Sequence, residues 1–440
     1  MRINNKITVG ENLKRIRKDL GLKQHEIVGE EVTRNLISLI ENNKATLYDT
    51  VANIIAKNIN KIMQERDIEI FIQGEDLLNP DRYDARKVAN EYIERLENAL
   101  LKKEYNICPE ELNKIESFLN KWNFIDKKVR IYELLGDIFY VSNNLNKEYY
   151  YYFKALEASY SYPNLKTRFK LAIKLCSNCI ITGKYEEAIN LCRYMLLNHN
   201  DIPDKVKGKF HYNIALSYHK LNQINKCLNE LENAKAYLAY TEKKDIKKIL
   251  MLESACYSKI GNLNKALNCF NNILKILNEN DNIDEICATY INIIQIYIKQ
   301  NDTENIVKYF DKIMINLPYI DEDSYYLPEI FFQISNVYSY LKRYDDSEKY
   351  LLTALSLAKK NENQFLLKKF RAKQIELYIE ANWLDKLKGL LSSMKEQLDA
   401  LNLNPDFSLV LKILLYYIKQ NKSNMAESLI LDLLRKEKEV

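Results

Sequence analysis

Glycine and proline are scarce in this chain, at nine and seven of 440 residues. So little of the residue that frees the backbone and of the one that breaks helices excludes collagen-like, proline-rich and low-complexity classes and favours helix almost throughout. No segment alternates convincingly as a β-strand does. No apolar run reaches about 18 residues, and Met1 to Gly10 lacks the apolar core of a signal peptide, so a cytoplasmic protein with no membrane partner is expected. Histidine is rarer still, with four residues. His211 and His219 share a helix face at i, i+8, but no carboxylate or third ligand is expected to join them. Nothing resembles a nucleophile elbow, a P-loop or a zinc-protease helix, so no catalytic residue, cofactor or metal site is assigned and the chain is read as a non-enzyme. The eight cysteines sit inside helical patterns rather than in a short secreted scaffold. Cys176 and Cys179 form a C-x-x-C, yet both fall on packing positions, as do Cys192, Cys227 and Cys287, so packing rather than metal or redox work is expected of them.

What the chain does have is a period. A tyrosine or its stand-in recurs every 39 to 41 residues at Phe139, Cys179, Tyr218, Tyr257, Tyr297, Tyr338, Tyr378 and Tyr417. Even spacing of this kind marks one supersecondary unit stacked many times. Nine residues after the mark the residue is small or a thiol at Ala188, Cys227, Ala266, Ser347 and Ala426, which lets two helices approach closely. Four before it stands Leu135, Leu175, Ile214, Ile293 or Ile334. Four after it comes Gly183, Asn222, Gly261, Asn301, Asn382 or Asn421, residues that tolerate the left-handed conformation ending a helix. Between these stops apolar residues keep helical spacing, as at Leu351, Leu352, Leu355 and Ala358. Each unit is therefore expected to be a helical hairpin.

The segments C-S-N-C-I-I-T-G-K-Y-E-E-A-I at 176–189 and S-A-C-Y-S-K-I-G-N-L-N-K-A-L at 254–267 resemble the tetratricopeptide repeat, with its order of small residue, aromatic, Gly and Ala. That repeat is about 34 residues long, so the period here carries an excess, and a HEAT-type array is the competing reading. The expected fold is all-α: an N-terminal helix-turn-helix domain, then a right-handed α-solenoid of about eight tetratricopeptide-like hairpins. The expected boundaries are 1–66 for the head, 67–84 for a linker marked by Gly74 and Pro80, 85–127 for an irregular helical pair broken at Cys108-Pro109, and 128–440 for the repeats.

The first 66 residues carry twelve Lys or Arg against eight Asp or Glu, a modest positive footprint. Leu13, Ile16 and Leu20 make one apolar face, Ile27 belongs to a short second helix, and Leu36, Ile37 and Ile40 line a third. Helix continues from Ile54 to Ile70. Val32 to Lys44, V-T-R-N-L-I-S-L-I-E-N-N-K, closely resembles the recognition helix of the lambda-repressor-like (XRE) helix-turn-helix. The resemblance implies that Thr33, Arg34, Asn35 and Ser38 face the major groove. It also implies that Gln24 braces against backbone and base, that Lys44 meets a phosphate, and that Arg17 and Glu41 form a structural ion pair. Thr33 can also cap its helix, and Glu30 and Glu31 suit the helix dipole just ahead of it.

A DNA-reading head joined to such repeats resembles the RRNPP group (Rap, Rgg, NprR, PlcR, PrgX) and the phage arbitrium receptors. That resemblance implies a homodimer that binds promoter DNA and takes a short signalling peptide on the inner face of the repeats. An extended peptide has unpaired N–H and C=O groups, which Asn and Gln can satisfy together. Two and five residues before the mark, on the face expected to be inner, stand Lys174, Ser177, Asn213, Asn292, Gln295, Gln333 and Asn336. Tyr212 and Phe332 are expected to form side-chain pockets, and Lys174 or Lys373 to meet a terminal carboxylate. The alternative is an interaction scaffold of Rap type that sequesters a protein partner, with a degenerate or accessory head.

Overall fold

In the computed structural model the described residues are 7–28, 32–68, 70–103, 106–238, 243–277, 283–361, 363–391 and 407–437. Every regular element among them is helical, so the fold is all-α as expected. The chain divides into two compact units, Met1–Ile249 and Leu250–Val440.

The first unit opens with α1 (Val9–Asp19), α2 (Arg34–Glu41), α3 (Asp49–Glu65) and α4 (Gly74–Leu78). Thr8 and Glu11 start α1 with a reciprocal capping box, satisfying two amides that a helix start leaves unpaired. Leu13, Ile16, Ile27, Ile37, Ile40, Ile55 and Ile59 close one core.

Three expectations change in this region. Ile27 follows a turn over residues 24–26, not a helix; the Glu26 carboxylate accepts the Lys23 N–H across that turn. Glu30 and Glu31 lie outside the described residues. The helix expected to reach Ile70 stops at Glu65, since Asp67 turns left-handed at a φ of 55° and Ile68 N–H bonds back to Met63 O. The stretch 67–84 is no bare linker: it holds α4 and the start of α5 (Pro80–Lys102), capped by Asn79, and Ile72, Leu77 and Tyr83 are buried in the head core.

After α6 (Pro109–Trp122) come the hairpins. They pair α7 (Ile125–Val141) with α8 (Leu145–Ser159), α9 (Leu165–Ile181) with α10 (Tyr185–Asn198), and α11 (Asp204–Lys220) with α12 (Ile224–Leu238). Next are α13 (Lys243–Lys259) with α14 (Leu263–Ile276), α15 (Ile283–Gln300) with α16 (Thr303–Asn316), and α17 (Leu327–Tyr340) with α18 (Tyr344–Lys360). The last are α19 (Gln364–Glu380) with α20, described over 384–391, and α21 (Phe407–Lys419) with α22 (Ser423–Glu437).

One turn chemistry explains the period. In every hairpin the carbonyl of the mark residue accepts the N–H of the residue five positions on, from Asn144 to Phe139 through Lys422 to Tyr417. The residue four positions after the mark is left-handed each time, including Asn143 and Lys342. This is the Schellman closure of a helix, which consumes carbonyls that the helix end would leave bare. Nine residues after the mark every side chain is buried, Glu148, Ile306 and Leu387 as well as the five small residues.

The excess over about 34 residues lies between hairpins: residues 165–198 make one whole hairpin, and 199–203 connect it to the next. In α18 the buried stripe is Leu351, Ala354, Leu355 and Ala358, at i, i+3, i+4 and i+7. Leu352, grouped with that stripe from sequence, instead faces outward at 47% exposure, because i+1 lies about 100° round the helix.

Candidate functional site

Helix α2 is the first candidate. Thr33 caps it by accepting the Leu36 N–H at 3.3 Å. Ile37 and Ile40 turn into the core, leaving Thr33, Arg34 and Asn35 exposed and Ser38 half-exposed. Lys44 is exposed just past the helix end, where Asn43 is left-handed at a φ of 58°. A buried clamp fixes that end: Arg17 Nε and Nη2 donate to both Glu41 oxygens at 2.6 and 2.9 Å, and Gln24 Nε2 donates to Glu41 Oε2 at 2.8 Å. Burial would raise the Glu41 carboxyl, but Arg17 and Gln24 outweigh it and hold the group below the usual range. Gln24 thus commits one of its two amide hydrogens inside the head.

The second candidate is the face expected to be inner, which the structure builds by one rule. The residue five before a mark reaches the residue two before the preceding mark. In the first unit Lys174 Nζ lies 2.6 Å from Asp137. In the second, Gln295 Nε2 donates to Gln333 Oε1 at 3.1 Å and Lys412 Nζ lies 2.6 Å from Glu376. Asn336 Nδ2 joins Gln333 Oε1 at 3.1 Å, and Gln333 passes its own donor to Glu329 at 2.8 Å. Gln295, Gln333 and Asn336 are therefore one connected amide ladder that meets at Gln333 Oε1, with Gln295 exposed and Gln333 and Asn336 half-buried. Asn292 is half-buried on α15, and Lys373 Nζ is 3.3 Å from Ser339 Oγ.

Two assignments on this face fail. Lys174 cannot wait for a peptide carboxylate, because Glu133 at 2.7 Å and Asp137 already take its charge. Phe332 is buried, stacked on Phe370 at 4.5 Å under the Lys369 ammonium, and belongs to the core rather than to a pocket wall. Ser177 is exposed and returns its hydroxyl to Ile173 O at 3.0 Å. Tyr212 is half-buried, and burial pushes its phenol up. Asn213 is 9% exposed, and its Nδ2 has no hydrogen-bond partner among the described residues.

Sequence reasoning missed Glu133, a 2%-exposed carboxylate on which Arg130, Lys170 and Lys174 converge at 3.1, 2.8 and 2.7 Å. Its signal was opposite charge at one repeat's separation, readable only once the pairing rule between hairpins is known.

The C-x-x-C is packing. Cys176 Sγ lies 3.3 Å from Cys192 Sγ inside the α9/α10 hairpin, and burial pushes the Cys179 thiol up to about 12. Among the described residues no three metal-ligating side chains gather. A carboxylate does join His211, contrary to expectation: Glu230, one helix over, lies 2.7 Å from Nδ1.

Comparison with known proteins bears on the repeats. The tetratricopeptide repeat family matches residues 328–361, the α17/α18 hairpin. No curated protein matches the chain. Among solved structures the chain is similar to a signal-transduction ATPase with numerous domains and a tetratricopeptide repeat sensor from Pyrococcus horikoshii, at 12% identity and a TM-score of 0.50 over 96% of this chain and 68% of that one. It is also similar to the apo form of RapI, at 11% identity and a TM-score of 0.48 over 80% of this chain and 98% of that one. BtubC from P. vanneervenii matches at 16% identity and a TM-score of 0.40, over 52% of this chain and 94% of that one. At such identities the likeness is one of fold: these are tetratricopeptide-like helical repeats. No helix among the described residues is long and apolar enough to cross a membrane.

Proposed function

We propose that the chain is a DNA-binding transcriptional regulator, cytoplasmic and homodimeric, whose repeats bind a short signalling peptide. It uses no cofactor and performs no catalysis in this reading. The observation that carries the proposal is α2: a capped helix with its apolar side sealed, its far end clamped by Arg17, Glu41 and Gln24, and Thr33, Arg34 and Asn35 open to solvent. A rigid helix presenting polar residues at its N-terminal end is what major-groove reading requires.

On the repeats, the Gln295–Gln333–Asn336 ladder and the orphaned Asn213 donor favour a peptide, since extended backbone offers the acceptors and donors that such amides lack. Peptide binding then shifts the equilibrium between dimer arrangements with different spacings of the two α2 helices. The test is binding of the full chain to a palindromic duplex with half-sites about 34 Å or a multiple apart, with and without short peptides. A duplex affinity altered by a peptide supports the proposal; no palindrome binding, or binding indifferent to every peptide, overturns it.

The turn over residues 24–26 favours a second reading, because the helix that would cross the DNA backbone ahead of α2 is a turn among the described residues. In that reading the repeats sequester a protein partner and the head is accessory. Arg34→Ala separates the two. As an exposed residue it should leave the melting temperature unchanged. Under DNA reading it should weaken duplex binding by about 1–3 kcal/mol, and under the scaffold reading cellular output should be unaffected.

A further inference from the structure

A cleft of about 930 Å³ opens in the first unit between α3, the described residues of 67–74, and the connection from α8 into α9. It is separate from both candidate sites above and lies near the upper end of the ~300–1,000 Å³ span of small-ligand sites. One wall is the outer face of α3, which presents Asn53, Lys57, Lys61 and Gln64 at helical spacing. The opposite wall is the start of α9.

The charge on these walls is one-sided. Lys57 and Lys61 are exposed, four residues apart on one face, and neither has an ion-pair or hydrogen-bond partner among the described residues. Like charges at that spacing repel, and an anion between them relieves the repulsion. Helix α9 begins at the cleft with Asn164 as its cap and no acidic residue in its first turn, so the positive end of its dipole is uncompensated there. Among the described residues the acid on this rim is Asp67, occupied with Lys166 at 3.4 Å.

Between these polar groups the lining includes apolar side chains: Ile70, Phe71 and Ile125, with Ile68 at 43% and Leu165 at 36% exposure. The side chains of Asn53 and Gln64 make no hydrogen bond among the described residues and so keep donors and acceptors for a ligand backbone. Carboxylates, apolar side chains and free peptide groups together describe one ligand class.

We infer that this cleft binds a short acidic peptide, extended along α3 with a carboxylate between Lys57 and Lys61 and its apolar side chains on the isoleucines. Duplex DNA does not suit it, because a polyanion gains nothing from the apolar side chains of the lining. The ligand touches the head on one side and the first hairpins on the other, so its binding stabilises one arrangement of the two.

The test uses the full chain and two hexapeptide pools. One carries two Asp or Glu among apolar residues, and the other has Asn and Gln in their places. The acidic pool should bind about tenfold more tightly at low salt, with hydrogen exchange slowed in α3 and at the start of α9. The Lys57→Gln/Lys61→Gln variant alters exposed residues only and should retain its melting temperature while losing that tenfold preference. Gln333→Ala, on the second unit's amide ladder, should leave it intact. Equal binding of the two pools, an unchanged preference in the lysine variant, or loss of duplex rather than peptide affinity in that variant would each overturn the inference.

Discussion

Glu133 shows how one carboxylate gives a fold its acid sensitivity. Burial alone would raise it, but Lys174 and Lys170 hold it down at about 2. The unfolded value is about 4.3, so the ion pairs stabilise the protein fully above that pH, and their contribution is lost as pH falls toward 2. On the order of 3 kcal/mol is involved. Glu133→Gln should therefore melt at a lower temperature than the parent at neutral pH, and the gap should close as pH falls; a constant gap would show that the pairs contribute nothing. Lys342 offers the opposite case, a residue whose replacement should help. It occupies the left-handed turn position at a φ of 59°, where five of the other turns have Asn and two have Gly. A side chain with a β-carbon is strained there by about 1 kcal/mol, so Lys342→Gly should raise the urea midpoint. A lowered midpoint would show that the lysine stem packs usefully.

Among elements, the crossing of α1 and α2 is set by Gly10. A β-carbon there would stand 2.0 Å from the Ile40 carbonyl oxygen, backbone that cannot swing aside. Gly10→Ala should push α2 off α1, cost about 1–3 kcal/mol as overpacking does, and disturb whatever α2 contacts; an unchanged denaturation midpoint would rule out the close approach. The same level explains what sequence could reveal. The hairpins were legible because their Schellman turns demand a left-handed residue at a fixed distance from an aromatic, and Asn or Gly announces it. The turn at 24–26 was not, because the apolar spacing around Ile27 fits a short helix and a turn alike. On the candidate peptide face, spacing from the mark says less about roles than about placement. Spacing from the mark places Lys174 and Gln333 on that face, but whether a charge is free depends on Glu133 and Asp137, one hairpin away.

For the first unit as a whole, the decisive contacts are those that join the head to the first hairpin. Asp76 is fully buried and receives Arg82 Nε at 2.7 Å and Arg86 Nε at 3.0 Å. Arg86 continues to Asp126 on α7 at 3.0 Å, and Arg82 reaches the Trp122 carbonyl. Both guanidiniums lie over the buried Phe124 ring, at 4.7 and 4.9 Å from its centre. Burial would lower the Arg86 pKa, but Asp126 and Asp76 outweigh it and keep the group charged. Two arginines and two aspartates thus form a charge-balanced set that spans α4, α5 and α7, extended at its edges by Glu75 at 3.5 Å from Arg82 and Lys127 at 3.8 Å from Asp126. Removing one member strands a buried opposite charge, which costs about 3–5 kcal/mol, whereas removing a pair together costs less. Arg86→Met should accordingly destabilise the first unit by that amount in urea denaturation. Adding Asp126→Asn should recover part of the loss, because the carboxylate stranded on α7 is then neutral. Strict additivity of the two substitutions would mean that they do not communicate, and that the head and the first hairpin are held together by apolar packing alone.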